Sequence, residues 1–264
     1  MDATPVLMYH SVSRVARGPL RPLAVPASLL REQLVALTSS GYRLVGLTEA
    51  IDLRAAGSAE RIAAVTFDDG YTDFLTAGLS VLADVGASAT LYMAVGHAGQ
   101  PAAWLGARAD IFGPVMTWSQ VREAAASGVE IGNHSLIHHP LDVLGPGQLD
   151  REIDQSRDRL SQEVQRPVRS FAYPHGYHGP QVRESVARSG HDNACIVGRR
   201  LWQPADDPLA VPRLQPTPDH SGADILDLAS TGGGQLLATV RELAQPGWRL
   251  TRRAALRWFH KTLS

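Results

Sequence analysis

One cysteine, Cys195, is all that the 264-residue chain contains, which rules out an internal disulfide and a cysteine-based metal centre. Such usage fits a reducing compartment, and also fits exported bacterial proteins built without disulfides. An excess of charge is missing as well: 25 Lys and Arg face 26 Asp and Glu, a formal net charge of −1. No global field therefore favours nucleic acid or an anionic membrane, and a partner has to be recognised at a local site. No apolar run approaches the length of a bilayer span, so no transmembrane segment is expected. The opening residues Met1-Asp2-Ala3-Thr4-Pro5 lack the basic start and apolar stretch of a secretion signal. The expectation is a cytoplasmic protein as the sequence stands, or an exported one whose signal has been removed. Repeats and low-complexity tracts are absent too. The turn after the first apolar run reads Tyr9-His10-Ser11-Val12, which cannot cradle a pyrophosphate as a Gly-rich dinucleotide loop does.

What is present is an ordinary globular composition, 44% hydrophobic and 19% charged, enough for one large core. Short apolar runs bounded by turn residues occur at Val6–Tyr9, Ile62–Phe67, Ala89–Val95, Val129–Ile131, Val168–Tyr173, Ala194–Val197 and Leu209–Leu214. Between them apolar residues recur at helical spacing, as in Leu29, Leu30, Leu34 and Leu37, in Leu75, Leu79 and Leu82, and in Leu149, Ile153 and Leu160. Gly41 and Gly86 stand where helix C-termini need a cap, and Thr117 to Gln120 reads as a capping box. Strand and helix signals in alternation predict an α/β fold, a distorted (β/α) barrel of about seven parallel strands. Residues 1–221 form that barrel in this reading. Residues 222–264 form a helical C-terminal extension, hinged at Gly232-Gly233-Gly234 and ending basic with Arg249, Arg252, Arg253, Arg257 and Lys261, a candidate contact for a partner.

In a parallel barrel the chemistry collects where strands end at the carboxyl face. Four predicted strands run directly into polar residues: Ile62–Phe67 into Asp68-Asp69-Gly70, Val129–Ile131 into Asn133, His134 and, one turn on, His138, Val168–Phe171 into Tyr173-Pro174-His175, and Val6–Tyr9 into His10. Spaced i, i+4, His134 and His138 are expected on one side of a helical turn, where two imidazoles can share a metal. His139 is the rival for His138. A carboxylate would complete a His-His-Asp site. Because successive side chains diverge, one of Asp68 and Asp69 would bind the ion while the other takes a proton from the water that the ion activates. His97, His178 and His191 have no such setting and read as solvated or hydrogen-bonded side chains.

At these residues the sequence resembles the polysaccharide deacetylases with a NodB-homology domain, carbohydrate esterase family four, over about residues 5–215. Thr66-Phe67-Asp68-Asp69-Gly70 matches the family's first motif and His134-Ser135-Leu136-Ile137-His138 its second. Phe171-Ala172-Tyr173-Pro174-His175-Gly176 is similar to the third, and Met116-Thr117-Trp118 before a helix is a common accompaniment. The resemblance implies a hydrolase of amide bonds that removes N-acetyl groups from an N-acetylglucosamine-containing polysaccharide or glycoside. It further implies that Asp68 is the catalytic base and that Asp69, His134 and His138 hold a divalent metal, zinc above all, with cobalt or nickel as substitutes. The backbone N–H of His175, with Tyr173 beside it, would stabilise the oxyanion.

Three departures stand out. The motif arginine that orients the base is replaced by Ala172, and Arg213, near the end of the last predicted strand, is the candidate substitute. The late Leu-x-x-His motif is absent after Gly176, whereas Leu7-Met8-Tyr9-His10 fits it at the other end of the chain. A permuted motif order in a closed barrel would make His10 the general acid, with His220 in reserve. The family's Asp-Trp motif is not recognisable, which leaves Trp202 as the candidate wall for the acetyl methyl. The rival functions are a deacetylase of a small intracellular or lipid-linked acetylated substrate and a catalytically silent carbohydrate-binding protein.

Overall fold

A computed structural model describes residues 3–15 and 17–233. Its centre is a parallel sheet in which the order of strands is β1 (Val6–Tyr9), β3 (Ile62–Phe67), β4 (Thr90–Met93), β5 (Glu130–Asn133), β6 (Ser170–Ala172), β7 (Asn193–Val197) and β8 (Val211–Arg213), with β2 (Arg43–Val45) beside the amino half of β3. A parallel bridge between Leu7 and Leu214 joins the last strand to the first, through Met8 N–H to Leu214 O at 2.8 Å and Leu214 N–H to Val6 O at 2.7 Å. The sheet is thus a nearly closed α/β barrel, the expected fold class. All six residues of β3 are buried, as parallel strands covered on both faces should be.

Around the barrel run α1 (Ala27–Ser39), α2 (Leu47–Ala55), α3 (Leu79–Asp84), α4 (Trp118–Ala126), α5 (Pro146–Val164), α6 (Pro180–Arg188) and α7 (Gly222–Thr231). Local signals set their ends. Gly41 and Gly86 take left-handed φ values of 82° and 64° just past α1 and α3, a backbone conformation that residues with a Cβ rarely adopt. At α4 the Thr117 side chain accepts from Gln120 N–H while the Gln120 side chain accepts from Thr117 N–H, a complete capping box. Leu30, Leu34 and Leu37 of α1 and Leu149, Ile153 and Leu160 of α5 face the core. Leu75 lies on a π-helical turn, Phe74–Gly78, that feeds α3.

The differences from the sequence reading are local. The strand β2 escaped it because three residues are too few for a periodic signal. The run at 129–131 moves to Glu130–Asn133, and those at 89–95, 168–173 and 209–214 shrink to cores of three or four residues as their ends curl into turns. The helix expected from Gly222 forms and packs on α1, with Ile225 and Ala229 in the main core. The rest of the expected extension, including Gly234 and the basic residues from Arg249 to Lys261, lies outside the described residues. Among the described residues no helix is long and apolar enough to cross a membrane.

Candidate active site

Asp68 and Asp69 leave the carboxyl end of β3 through a turn in which both Asp69 and Gly70 have positive φ, 73° and 75°. The glycine is required there, because a Cβ at position 70 would lie 2.2 Å from Met93 Sδ. The turn lets two consecutive carboxylates serve separate partners. The Asp68 carboxylate is gripped by Arg213, with Nη1 donating to Oδ1 at 2.6 Å and Nη2 to Oδ2 at 2.7 Å. Nη1 also donates to Thr66 Oγ1 at 3.1 Å. Arg213 comes from β8, and barrel closure swings that strand next to β1 and within reach of β3. It faces the carboxylate rather than the open cleft. Burial alone pushes the Asp68 carboxyl up, but the Arg213 guanidinium, His134 and His10 bring it below its ordinary value. The carboxylate is therefore ionised at neutral pH.

Asp69 turns to the two histidines, with Oδ1 3.5 Å from His134 Nε2 and 3.2 Å from His138 Nε2. These side chains are at most 6% exposed. Contrary to expectation, no helical turn joins His134 to His138. The segment is an irregular loop in which Ser135 and His138 adopt left-handed φ values of 65° and 59°, so the i, i+4 spacing converges for a different reason. The loop is tied to itself, with Ser135 N–H donating to Asn133 Oδ1 at 3.0 Å and His138 N–H to Ser135 Oγ at 3.1 Å. His139 turns away and lies 3.9 Å from Glu152.

The donor set fits a divalent cation. His134 Nδ1 is 2.7 Å from the carbonyl of Ala172, which fixes the proton on Nδ1 and aims the Nε2 lone pair at Asp69. Asp69 Oδ1 is buried and accepts no hydrogen bond of its own, yet it lies within 3.5 Å of both Nε2 atoms. Tetrahedral ligands at 2.0–2.1 Å from zinc stand about 3.3–3.4 Å apart, close to the two separations found. Asp69, His134 and His138 are the metal-competent group among the described residues. Burial pushes the Asp69 carboxyl up, yet His134 and His138 hold it well below the carboxylate range, so it is ionised at neutral pH.

The surrounding cleft, about 300 Å³, is lined by His10, Asp68, Asp69, His134, His138, Tyr173, His175 and Tyr177, with Leu20, Leu23, Trp104 and Leu105 as an apolar wall. His10, from the end of β1, lies 4.0 Å from Asp68 Oδ2 through Nε2, and burial lowers its pKa. His175 packs edge-on to His138, centroids 4.6 Å apart, on a backbone with φ 59°, and burial pushes its pKa down to about 3. The Tyr173 ring lines the cleft while its hydroxyl donates to Leu209 O at 2.9 Å.

Two of the sequence candidates are placed elsewhere. Trp202 bridges Thr4, ahead of β1, and packs with Val6, Val45 and Val211 in the core of the barrel's amino half. It cannot wall a site at the carboxyl end. The tryptophan that the cleft does use is Trp104, stacked on His138 with centroids 4.5 Å apart and planes 21° from parallel. Trp104 arrives on a short 3-10 helix, Ala103–Arg108, after β4, where no periodicity flags it. His220 Nδ1 accepts from Thr217 N–H at 3.1 Å, closing its own turn, and does not line the cleft.

Residues 56–194 match the sequence profile of the family described as Polysaccharide deacetylase, a span that contains both aspartates and both histidines. The chain belongs to the polysaccharide deacetylase family. It is accordingly a hydrolase acting on amide bonds. Among relatives of this deacetylase, the Bacillus subtilis (strain 168) protein YxkH, which bears the family's name, is 25% identical over 224 residues, 83% of this chain and 73% of its own. The Escherichia coli (strain K12) poly-beta-1,6-N-acetyl-D-glucosamine N-deacetylase is 31% identical over 146 residues, 50% of this chain but 20% of that protein. Among solved structures, IcaB from Ammonifex degensii superposes with a TM-score of 0.75 at 25% identity, covering 88% of this chain and 98% of that one. The Streptococcus pyogenes deacetylase PplD, in complex with acetate, gives the same TM-score at 22% identity over 86% and 98%, a likeness of fold.

Proposed function

We propose that this deacetylase removes N-acetyl groups from N-acetylglucosamine units of a polysaccharide or glycoside, with Asp68 as general base and His10 as general acid. The observation that carries the reading is the pairing, in one cleft, of a carboxylate kept ionised by Arg213 with a separate Asp-His-His group. Asp69, His134 and His138 would hold the divalent ion, zinc or a substitute such as cobalt or nickel. Such an ion lowers the pKa of water and polarises a carbonyl oxygen. Asp68 takes the proton from the attacking water, and Arg213 keeps its oxygens in place and free of protons at neutral pH. The backbone N–H of His175 is available to the developing oxyanion, a role that asks only for an amide. His10, which lines the same cleft, gives a proton to the leaving amine, so that acetate and a free amino sugar depart.

The substrate class rests on the Escherichia coli relative, whose name specifies a β-1,6-linked N-acetylglucosamine polymer. A silent carbohydrate-binding protein would have no use for a buried, guanidinium-locked base beside a metal-competent group. The test is acetate release from N-acetylglucosamine oligomers with zinc or cobalt added, wild type against Asp68→Asn. The variant should bind metal and lose about 10²–10⁴-fold in turnover. Equal inactivity of metal-loaded wild type and variant on every acetylated sugar tried would sink the proposal.

A further inference from the structure

We propose that Glu152 is a positioning residue for the metal site, the anchor that holds the His134–His138 loop in its ligating shape; the inference rests on the reading of Asp69, His134 and His138 as the ion's ligands. Glu152 lies on α5, a helix whose buried stripe is otherwise Leu149, Ile153, Ser156 and Leu160. A carboxylate on a core-facing stripe is unusual unless its charge is satisfied. Here Oε2 accepts two backbone hydrogen bonds, from Leu136 N–H and from Ile137 N–H, each at 3.0 Å. Those amides belong to the residues between the two histidines. Glu152 is 6% exposed, so both bonds lie in a low-dielectric setting where a charged acceptor is strongest.

The loop needs such an anchor. Ser135 and His138, the residues at either end of the amide pair, sit in left-handed conformations that residues other than glycine leave unless their surroundings hold them. Carbonyls of the same loop are held from the opposite side: Val95 N–H donates to Ser135 O at 3.1 Å and Gly96 N–H to Leu136 O at 2.7 Å. The approach at position 96 is close enough that a Cβ would lie 2.7 Å from Leu136 O. Glu152 thus supplies the amide half of a two-sided clamp, and the clamp fixes where His138 presents Nε2 to Asp69. Without the carboxylate, two N–H groups lose their acceptor and the backbone between the ligands is free to leave its strained shape.

The experiment titrates the purified full chain, stripped of metal, with zinc or cobalt against a chromophoric chelator, and follows hydrogen exchange of the peptide spanning 135–138. Glu152→Ala should weaken metal binding by about 10–100-fold, the range for groups that orient ligands, and speed exchange over that peptide. Glu152→Gln, which keeps one oxygen for both amides, should stay close to wild type. Glu152→Asp, which withdraws the acceptor by one methylene, should fall between them and serves if the alanine variant does not fold. Ser156→Ala, on the same buried stripe, should lower Tm without touching affinity. Unchanged affinity and exchange in the Ala and Asp variants would overturn the proposal, as would an equal loss in Ser156→Ala, since helix packing would then explain the effect. Failure of the wild type to bind any divalent ion would instead strike at the ligand assignment itself.

Discussion

Replacing Arg213 by Met keeps the bulk of the side chain and removes the charge, which isolates what the guanidinium does for Asp68. In the wild type two hydrogen bonds of 2.6 and 2.7 Å reach the carboxylate, and both partners are buried. Removing one member of a buried pair strands the other, at about 3–5 kcal/mol, a large fraction of a typical stability of about 5–15 kcal/mol. The kinetic consequence follows from the pKa. Burial pushes Asp68 up and Arg213 is the foremost influence bringing it down, so the variant's carboxyl should titrate above its wild-type position. Asp68 must be ionised to act as base, and the acid limb of kcat/KM against pH therefore moves to higher pH. At neutral pH the loss is bounded by what a general base contributes, about 10²–10⁴-fold. Stability should show the same sign. A depressed carboxyl stabilises the wild type above the unfolded-state pKa, and that contribution vanishes as pH falls through the folded value. The deficit of Arg213→Met is accordingly smallest in acid, where Asp68 carries its proton in both proteins, and widens as pH rises. The measurements are urea titrations across pH and a kcat/KM profile on N-acetylglucosamine oligomers, taken well below the variant's Tm. An acid limb that stays in place, with a deficit independent of pH, would refute the claim that Arg213 tunes Asp68.

His10→Ala should reduce kcat by about 10²–10⁴-fold with metal stoichiometry preserved in elemental analysis; loss of metal would make His10 a ligand and overturn its assignment. Chelation should abolish acetate release and lower Tm, because an ion that binds only the folded state stabilises it by mass action. Restoration by zinc or cobalt completes that test, and a Tm indifferent to chelator would count against the Asp-His-His assignment.

Much of this was legible in the sequence because it is local. Caps at Gly41, Gly86 and Thr117 depend on a few neighbouring residues, and the seven apolar runs each mark a strand that forms. The four central polar residues were legible for the same reason: they stand where predicted strands end, so their convergence follows once the strands are parallel. Their motifs also carried the family resemblance that the profile match bears out. The helical turn expected between His134 and His138 failed because spacing alone does not distinguish a helix from a clamped loop. The partners of that loop lie on α5 and after β4.

What the sequence determined, then, is the α/β alternation and the set of reactive groups on the carboxyl rim, each a consequence of short-range pattern. The tertiary structure decided how those groups meet their partners. Arg213, which the sequence offers as the substitute for the motif arginine, lies 145 positions from Asp68 and reaches it because bridging of β8 to β1 closes the barrel. Trp104 rather than Trp202 lines the cleft, because the end of the barrel at which a ring emerges depends on the path of a connecting segment, and composition says nothing of that path. Glu152 reads in the sequence as one more charge on a polar helix, and only packing against the histidine loop makes it an anchor. Contacts of this kind depend on how the chain closes on itself, and neither residue type nor periodicity records that closure.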